Sequence, residues 1–132
     1  MITIDYKDRR PLYQQIMDKI QELAVMGLIQ ADEQLPSVRS LATELAINPN
    51  TIQRAYAELE KKGITYSVPG KGSFLAKSQH SIVQDRTAEI GVRLSDIIDE
   101  AKKLAMQLET FQGMVTEIWQ QSPNSTKGGI EK

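Results

Sequence analysis

The stretch INPNTIQRAY, residues 47–56, ends one apolar helical pattern and almost immediately begins another. Asn48 is a favoured N-cap residue. Pro49 suits the first position of a helix, because its φ is already helical and its missing N–H needs no partner there. The stretch therefore predicts a helix that begins at Pro49, directly after another helix. Two helices joined by so tight a break must cross steeply, which is the helix-turn-helix arrangement.

The helices on either side of this break have apolar residues at helical spacing on one face. Ser37 can cap a helix over residues 38–45, and Ala46 and Ile47 are expected to complete its packing. The following helix is expected to end at Gly63, a residue type common just after helix C-termini. Its predicted inward residues are Ile52, Ala55, Tyr56 and Leu59.

A further helix is predicted ahead of this pair, over residues 11–26. Pro11 suits its first turn, and Gly27 suits the position just after its end. Its apolar stripe, which fits one helix face, consists of Leu12, Ile16, Ile20 and Leu23. The polar residues expected to take much of the other side are Gln14, Gln15, Asp18 and Gln21.

After Gly63 the sequence pattern changes from that of a helix to that of strands. Residues 64–68 and 73–76 are short β-prone runs on either side of a turn at residues 69–72, so they predict a two-stranded hairpin with Lys71 at its tip. The glycines around Lys71 also suggest a phosphate-binding loop, but the residue spacing of that motif is absent. Three helices followed by such a hairpin form a winged helix-turn-helix.

The last third of the sequence predicts a helical dimerisation region. A polar linker is expected over residues 77–81, followed by one long helix and a shorter helix over residues 108–121. Apolar residues in the long helix recur seven and four positions apart, as in paired helices. They can pack on the same helices of a second chain or fold back on the first domain, and we favour the two-fold dimer. The predicted dimerisation residues are Val83, Ile90, Leu94, Ile97, Ala101, Leu104, Phe111, Ile118 and Trp119.

The predicted fold class is therefore mainly α with a small β-hairpin. A winged helix-turn-helix domain is expected over residues 1–77, and the helical dimerisation region over residues 78–122. The tail, residues 123–132, has little apolar surface to bury and is expected to be disordered. Phe111 and Trp119 fit a dimer core better than a cage around a small-molecule effector, although a crevice at the dimer interface leaves room for one.

Polar side chains at the start of the helix after Asn48 suit DNA recognition. A helix that enters the major groove needs side chains near its N-terminus that hydrogen-bond to base edges. The residues with this chemistry are Asn50, Thr51, Gln53 and Arg54. Arg39 on the preceding helix and Lys71 on the hairpin tip can reach phosphate. The same residues are also compatible with an ordinary solvated surface, so this pattern alone leaves DNA binding open.

Composition argues against several other function classes. The 132-residue chain has no cysteine and one histidine, so disulfides and thiolate sites are excluded and no metal or other cofactor is expected. His80 lies in the polar linker, where a surface position is more typical than metal binding. No apolar stretch is long enough for a membrane span, and Asp5 and Asp8 interrupt any export signal, so a cytoplasmic protein is expected. An enzyme is not indicated, because no nucleophile, metal cluster or carboxylate pair is apparent.

Several short motifs occur together in an order typical of one family of bacterial regulators. They are PLYQQI at residues 11–16, LPSVRSLA at 35–42, NPNT at 48–51, AYAELE at 55–60, GI at 63–64 and GKGSF at 70–74. Over about residues 10–77 the sequence closely resembles the DNA-binding domain of GntR-family transcription regulators. The short helical region that follows is similar to that of the YtrA-type subfamily, whose members dimerise through it.

This resemblance implies a homodimeric regulator, most often a repressor, that binds a palindromic operator in double-stranded DNA. The positions that match operator-holding residues of the family are Ser37, Arg39, Asn50, Thr51, Gln53, Arg54, Gly70 and Lys71. Other subfamilies often carry a basic or hydroxyl residue where Pro49 or Asn50 stands, so their operator sequences are not transferred. The alternative function is a protein-interaction module that uses the winged helix as a scaffold. The sequence identifies neither the regulated genes nor an effector.

Overall fold

The computed structural model describes residues 2–122, so the tail predicted to be disordered lies outside the described residues. Its elements, in chain order, are α1 (Leu12–Val25), α2 (Val38–Leu45), α3 (Pro49–Lys61), β1 (Thr65–Val68), β2 (Gly72–Leu75), α4 (Gln79–Lys103) and α5 (Leu108–Gln121). The described part is thus mainly helical with a two-stranded antiparallel hairpin, which confirms the predicted fold class. It divides into a first unit that ends at Asp85 and a second unit that begins at Arg86.

The first unit is built around a hydrophobic core shared by the first three helices, the hairpin and the start of α4. Both α1 and α2 pack against α3, which places α3 at the centre of the unit. The large side chains with almost no exposed surface are Ile16, Ile20, Leu41, Ile52, Leu59, Leu75 and Ile82. Burying an aliphatic side chain of this size contributes about 1.5–3 kcal/mol, so the first unit has its own source of stability.

Capping side chains fix where α2 and α3 begin. The hydroxyl oxygen Oγ of Ser37 accepts a hydrogen bond from the backbone N–H of Ser40 at 3.0 Å. The Oδ1 atom of Asn48 accepts one from the N–H of Asn50 at 2.8 Å, and Pro49 occupies the first turn of α3. Both predicted helix starts are confirmed, because a side-chain acceptor just before a helix satisfies an N–H group that the helix itself leaves unpaired.

Three residues of the first unit depart from the predicted pattern of burial. Gln15 and Gln21 are buried, whereas they were expected on the polar side of α1. Gln15 accepts a hydrogen bond from the N–H of Asp5 and donates one to the carbonyl oxygen of Arg10, each at 3.2 Å, while Gln21 donates to a carbonyl of its own helix. These hydrogen bonds satisfy the side-chain amides and offset the free energy lost when the amides leave water. Ala46 is exposed and left-handed (φ 54°), so it ends α2 and does not pack in the core.

The hairpin is anchored through its backbone to the connector between α1 and α2. Thr65 pairs with Leu75 at one end of the ladder, and each strand lies within one residue of its predicted bounds. The N–H of Asp32 donates to the carbonyl of Leu75 at 2.6 Å, and the N–H of Leu35 donates to that of Ser73 at 2.8 Å. The connector therefore runs along β2 as an additional edge of the hairpin, although the sequence predicts it only as a connector.

Helix α4 begins at Gln79, which corrects the polar linker predicted over residues 77–81. The Oγ atom of Ser78 accepts a hydrogen bond from the N–H of Ser81 at 3.1 Å, as an N-cap does. Ile82, in the first turns of the helix, belongs to the core of the first unit. The polar composition of this segment suggested a linker. The helix nevertheless starts here, where Ser78 caps it and Ile82 packs in the core.

The long helix also ends slightly earlier than predicted. Because α4 stops at Lys103, Leu104 lies in a turn and not on the helix that was expected to carry it. Ala105 takes the left-handed conformation (φ 57°), and the N–H of Met106 donates to the carbonyl of Ala101 at 3.1 Å, which closes the helix end. The following helix, α5, has the bounds predicted from the sequence.

The second unit buries none of its described side chains, which extend from Arg86 to Ser122. Its exposed large apolar residues are Ile90, Val92, Leu94, Ile97, Leu104, Leu108, Met114, Val115, Ile118 and Trp119. Among residues 2–122, no helix combines the length and hydropathy that crossing a membrane requires.

Candidate nucleic-acid interface

The first turns of α3 present polar side chains on a helix whose opposite face is buried. Asn50, Gln53 and Arg54 are exposed, and Thr51 is half-buried. The buried residues of the same helix are Ile52, Ala55, Tyr56 and Leu59, all as predicted. Because these four side chains fix the rotation of α3 about its axis, the polar residues are held toward solvent.

The N-terminus of α2 is fixed to α3 by a hydrogen bond from a tyrosine. The hydroxyl of Tyr56 donates to the carbonyl oxygen of Pro36 at 2.6 Å, and burial raises the pKa of this hydroxyl to about 12. Pro36 directly precedes Ser37, whose Oγ atom caps α2 while its O–H remains able to donate outward. Ser37 and Arg39 are both exposed. The structure thus brings the beginning of α2, with two predicted site residues, against the central helix.

The turn of the hairpin, which carries Gly70 and Lys71, is held by the connector. The side-chain amide of Gln34 donates from Nε2 to the carbonyl oxygen of Lys71 at 2.6 Å. Gly72 has φ 112°, and a Cβ atom added there would lie 3.2 Å from the same Nε2 atom. A glycine is therefore required both by the conformation of the turn and by the close approach of Gln34. The side chain of Lys71 itself is exposed.

The base of the hairpin is stiffened by two aromatic rings. Tyr66 and Phe74 pack edge to face, with ring centroids 5.5 Å apart. The hydroxyl of Tyr66 donates to Oδ1 of Asp32 at 2.9 Å, and this hydrogen bond raises the pKa of the tyrosine. Asp32 belongs to the connector, so side chains and backbone both join the connector to the hairpin. The position of Lys71 is thus set by contacts throughout the length of the hairpin.

Arg54 lies against the first helix as well as on the exposed face of α3. Its guanidinium carbon Cζ lies 3.9 Å from the centroid of the Tyr13 ring, within the range of a cation–π contact. Tyr13 is in the first turn of α1 and half-buried. The sequence analysis did not single out Tyr13 or Gln34 as site residues. Only the motif at residues 11–16 contained a signal for Tyr13, and no local pattern marks Gln34.

Three predicted site cations are available for an external anion. Among residues 2–122, Arg39, Arg54 and Lys71 form no ion pair, whereas Arg10 is paired with both Asp8 and Asp18. A phosphate group needs a cation that no carboxylate already neutralises. The arrangement therefore offers hydrogen-bond donors and acceptors at the start of α3, with unpaired positive charge on α2, α3 and the hairpin tip.

Comparison with known proteins identifies the family of this chain. Residues 12–75 match the family described as bacterial regulatory proteins, gntR family. The chain is 34% identical to the HTH-type transcriptional repressor YtrA of Bacillus subtilis (strain 168), over 89% of this chain and 92% of that protein.

Solved structures give the same result. A GntR family transcriptional regulator from Listeria monocytogenes is 38% identical, with a TM-score of 0.69 over 86% of this chain and 98% of the other. AraR(DBD), solved in complex with an operator, is 28% identical, with a TM-score of 0.50 over 58% of this chain and 93% of the other. The motifs, the winged helix-turn-helix and these similarities agree: the chain belongs to the GntR family of bacterial transcriptional regulators.

Proposed function

We propose that this chain is a homodimeric transcriptional repressor that binds a palindromic operator in double-stranded DNA. The exposed polar turn at the start of α3 supports this above all, because it has the chemistry of a major-groove reader on a helix fixed by its buried face. Two relatives support it as well: YtrA is named a transcriptional repressor, and AraR(DBD) was crystallised on an operator.

Base recognition is assigned to the exposed side chains of α3. Asn50 and Gln53 have the amide geometry for two hydrogen bonds to adenine, and Arg54 can bind guanine O6 and N7 together. Each such pair discriminates against the wrong base by about 1–3 kcal/mol. Thr51, half-buried beside them, can add a contact to a thymine methyl group or to phosphate. Together these residues would determine which operator is chosen.

Phosphate contacts are assigned to the residues that flank α3. Ser37 and Arg39 lie at the N-terminus of α2, where the backbone N–H groups of the first turn also favour an anion. Lys71 and the backbone at Gly70 form the hairpin tip that Gln34 holds in place. Contacts of this kind set affinity and register on DNA without reading sequence.

Dimerisation is assigned to the second unit because its described residues leave so much apolar surface uncovered. Leu104 is 71% exposed and Trp119 is 79% exposed, and Leu108, Val115 and Ile118 of α5 are exposed as well, whereas Phe111 is half-buried. Exposed apolar side chains that cluster in this way in a protein mark a surface for a partner more often than a free surface. A two-fold dimer would cover them and present two α3 helices to half-sites about 34 Å apart on one face of DNA. We place this regulator in the cytoplasm, with no membrane partner and no catalytic activity.

Selection from a random pool of double-stranded DNA by the purified chain, with its solution mass measured in parallel, tests the proposal. One enriched palindrome together with the mass of a dimer is expected. Enrichment of a single half-site by a monomer would refute the dimer assignment. No enrichment across a range of salt concentrations would refute operator binding by the protein alone, and a protein partner bound equally well at high salt would favour the interaction module.

A further inference from the structure

Within the motif at residues 11–16, Tyr13 packs with part of its surface against the core and also contacts a side chain outside it. Pro11 occupies the N-cap position of α1, the amide of Gln15 bridges the N-terminal segment, and Ile16 is fully buried in the core. Tyr13 is only half-buried, and one face of its ring is covered by the guanidinium of Arg54. Its distinctive contact is therefore with a residue assigned to base recognition.

The contact with Tyr13 leaves the N–H donors of the Arg54 guanidinium free to bind a base. A guanidinium stacked on a ring uses its planar face, whereas its N–H groups point outward in the plane. Among residues 2–122, the side chain of Arg54 makes no hydrogen bond and no ion pair, and its contact is the one with the Tyr13 ring. The donors that guanine O6 and N7 require are thus unoccupied while the side chain rests on Tyr13.

We propose that Tyr13 is a positioning residue that holds the guanidinium of Arg54 over α1, so that the first turn of α1 contributes to operator discrimination without reading bases itself. This inference rests on the proposed function. A flexible arginine would otherwise lose side-chain entropy when it binds a base, and a preformed stack removes part of that loss. A cation–π contact at an exposed site corresponds to a change of about two- to fivefold in an equilibrium constant.

The central experiment measures binding to the selected operator and to random DNA for the wild type, Tyr13→Leu and Tyr13→Phe. We expect Tyr13→Leu to lower the ratio of operator affinity to random-DNA affinity by about two- to fivefold, because the stack is lost. Tyr13→Phe keeps the ring and is expected to retain the wild-type ratio. If Tyr13→Phe loses as much as Tyr13→Leu, the hydroxyl contacts DNA directly and the proposal is wrong.

A double-mutant cycle separates positioning from an independent contact. In the Arg54→Ala background, Tyr13→Leu is expected to cause no further loss of discrimination, since the side chain that it positions is absent. An equal loss in both backgrounds would show that Tyr13 acts on DNA, or on the fold, without Arg54.

A measurement without DNA distinguishes failure of this inference from failure of the proposed function. In the NMR spectrum of the free protein, the Arg54 side-chain protons are expected upfield of their ordinary positions in the wild type and in Tyr13→Phe, because they lie over a ring. Tyr13→Leu should abolish the shift, with unchanged backbone signals elsewhere in α3 showing that the fold is intact. Absence of the shift in the wild type would overturn the stack even if an operator is selected.

Discussion

The two units of this chain use their apolar residues in opposite ways. In the first unit, eighteen hydrophobic residues form a buried core, and they include members of the first three helices, β2 and the start of α4. In the second unit, the described residues from Arg86 to Ser122 include many leucines, isoleucines and valines, and none is buried. The comparison teaches that similar apolar content can be buried inside one unit or remain exposed on another, and the proposed dimer would use the exposed set to contact a second chain. The first unit should therefore respond to mutation through its folding, and the second through association.

The largest expected effect is a cavity in the core of the first unit. Leu59→Ala removes a fully buried side chain from α3 and should lower the free energy of unfolding by about 2–5 kcal/mol. Leu28→Ala, at an exposed leucine of the same unit, should change it by less than about 0.5 kcal/mol. Urea unfolding monitored by circular dichroism checks both. Similar losses for the two variants would remove the distinction between core and surface on which the comparison depends.

The next effect should appear in association and not in folding. Ile97→Asp places a charge on the exposed apolar face of α4 and should weaken self-association by about 30-fold or more, the effect of losing roughly 2 kcal/mol at an interface. Ser95→Asp adds the same charge on a different side of the helix and should leave the dimer intact. Sedimentation at several protein concentrations measures both variants. A dimer that resists Ile97→Asp would place the contact between chains elsewhere.

A smaller effect separates the two neighbouring asparagines at the start of α3. Asn48→Ala removes the N-cap and should destabilise the protein by about 1 kcal/mol, whereas Asn50→Ala removes an exposed side chain and should leave stability nearly unchanged. For operator binding we expect Asn50→Ala to have the larger effect, a loss of about 1–3 kcal/mol in preference for the correct base, and Asn48→Ala the smaller. Thermal unfolding and operator titration of both variants test this. If both variants lose stability alike, the capping assignment fails.

The last effect is confined to high pH. Because burial raises the pKa of Tyr56 from 10.0 to about 12, the folded protein keeps a proton that the unfolded chain releases in this range. The contribution of Tyr56 to stability should thus be complete below pH 10 and decline as the pH rises toward 12. Tyr56→Phe also loses the hydrogen bond to Pro36, but its stability should fall less steeply between these pH values. If the unfolding free energies of the wild type and the variant fall equally steeply with pH in this range, the prediction is wrong.

The elements that the sequence predicted well are those determined by neighbouring residues. Ser37 and Asn48 cap helices through bonds that extend only two or three positions, so the starts of α2 and α3 could be inferred without a structure. Ser78 is a similar local cap, but the residues around it are polar, so the sequence predicted a linker where α4 begins. Local chemistry therefore predicts an element reliably only when the surrounding apolar pattern agrees with it.

The features that the sequence did not reveal depend on contacts between distant segments. The sequence predicts Gln15 on the surface of α1, but the residue is buried and hydrogen-bonded to Asp5 of the N-terminal segment. The bond from Gln34 to Lys71 joins residues 37 positions apart, and the stack of Arg54 on Tyr13 requires α1 and α3 to be packed together. The motifs marked the candidate residues for DNA binding, but only the packed helices show what supports them.

The backbone bonds between the connector and β2 have a consequence for how this protein can evolve. Asp32 and Leu35 hold the strand through N–H groups, which every amino acid except proline provides. These backbone bonds do not depend on a particular side chain, although Asp32 (φ 68°, bound by the Tyr66 hydroxyl) and the buried Leu35 are also constrained by their conformation and packing. The exposed tip of the hairpin is less constrained and can acquire a new side chain in place of Lys71. If the tip contacts DNA as proposed, descendants of such a gene could change that contact without first rebuilding the backbone support.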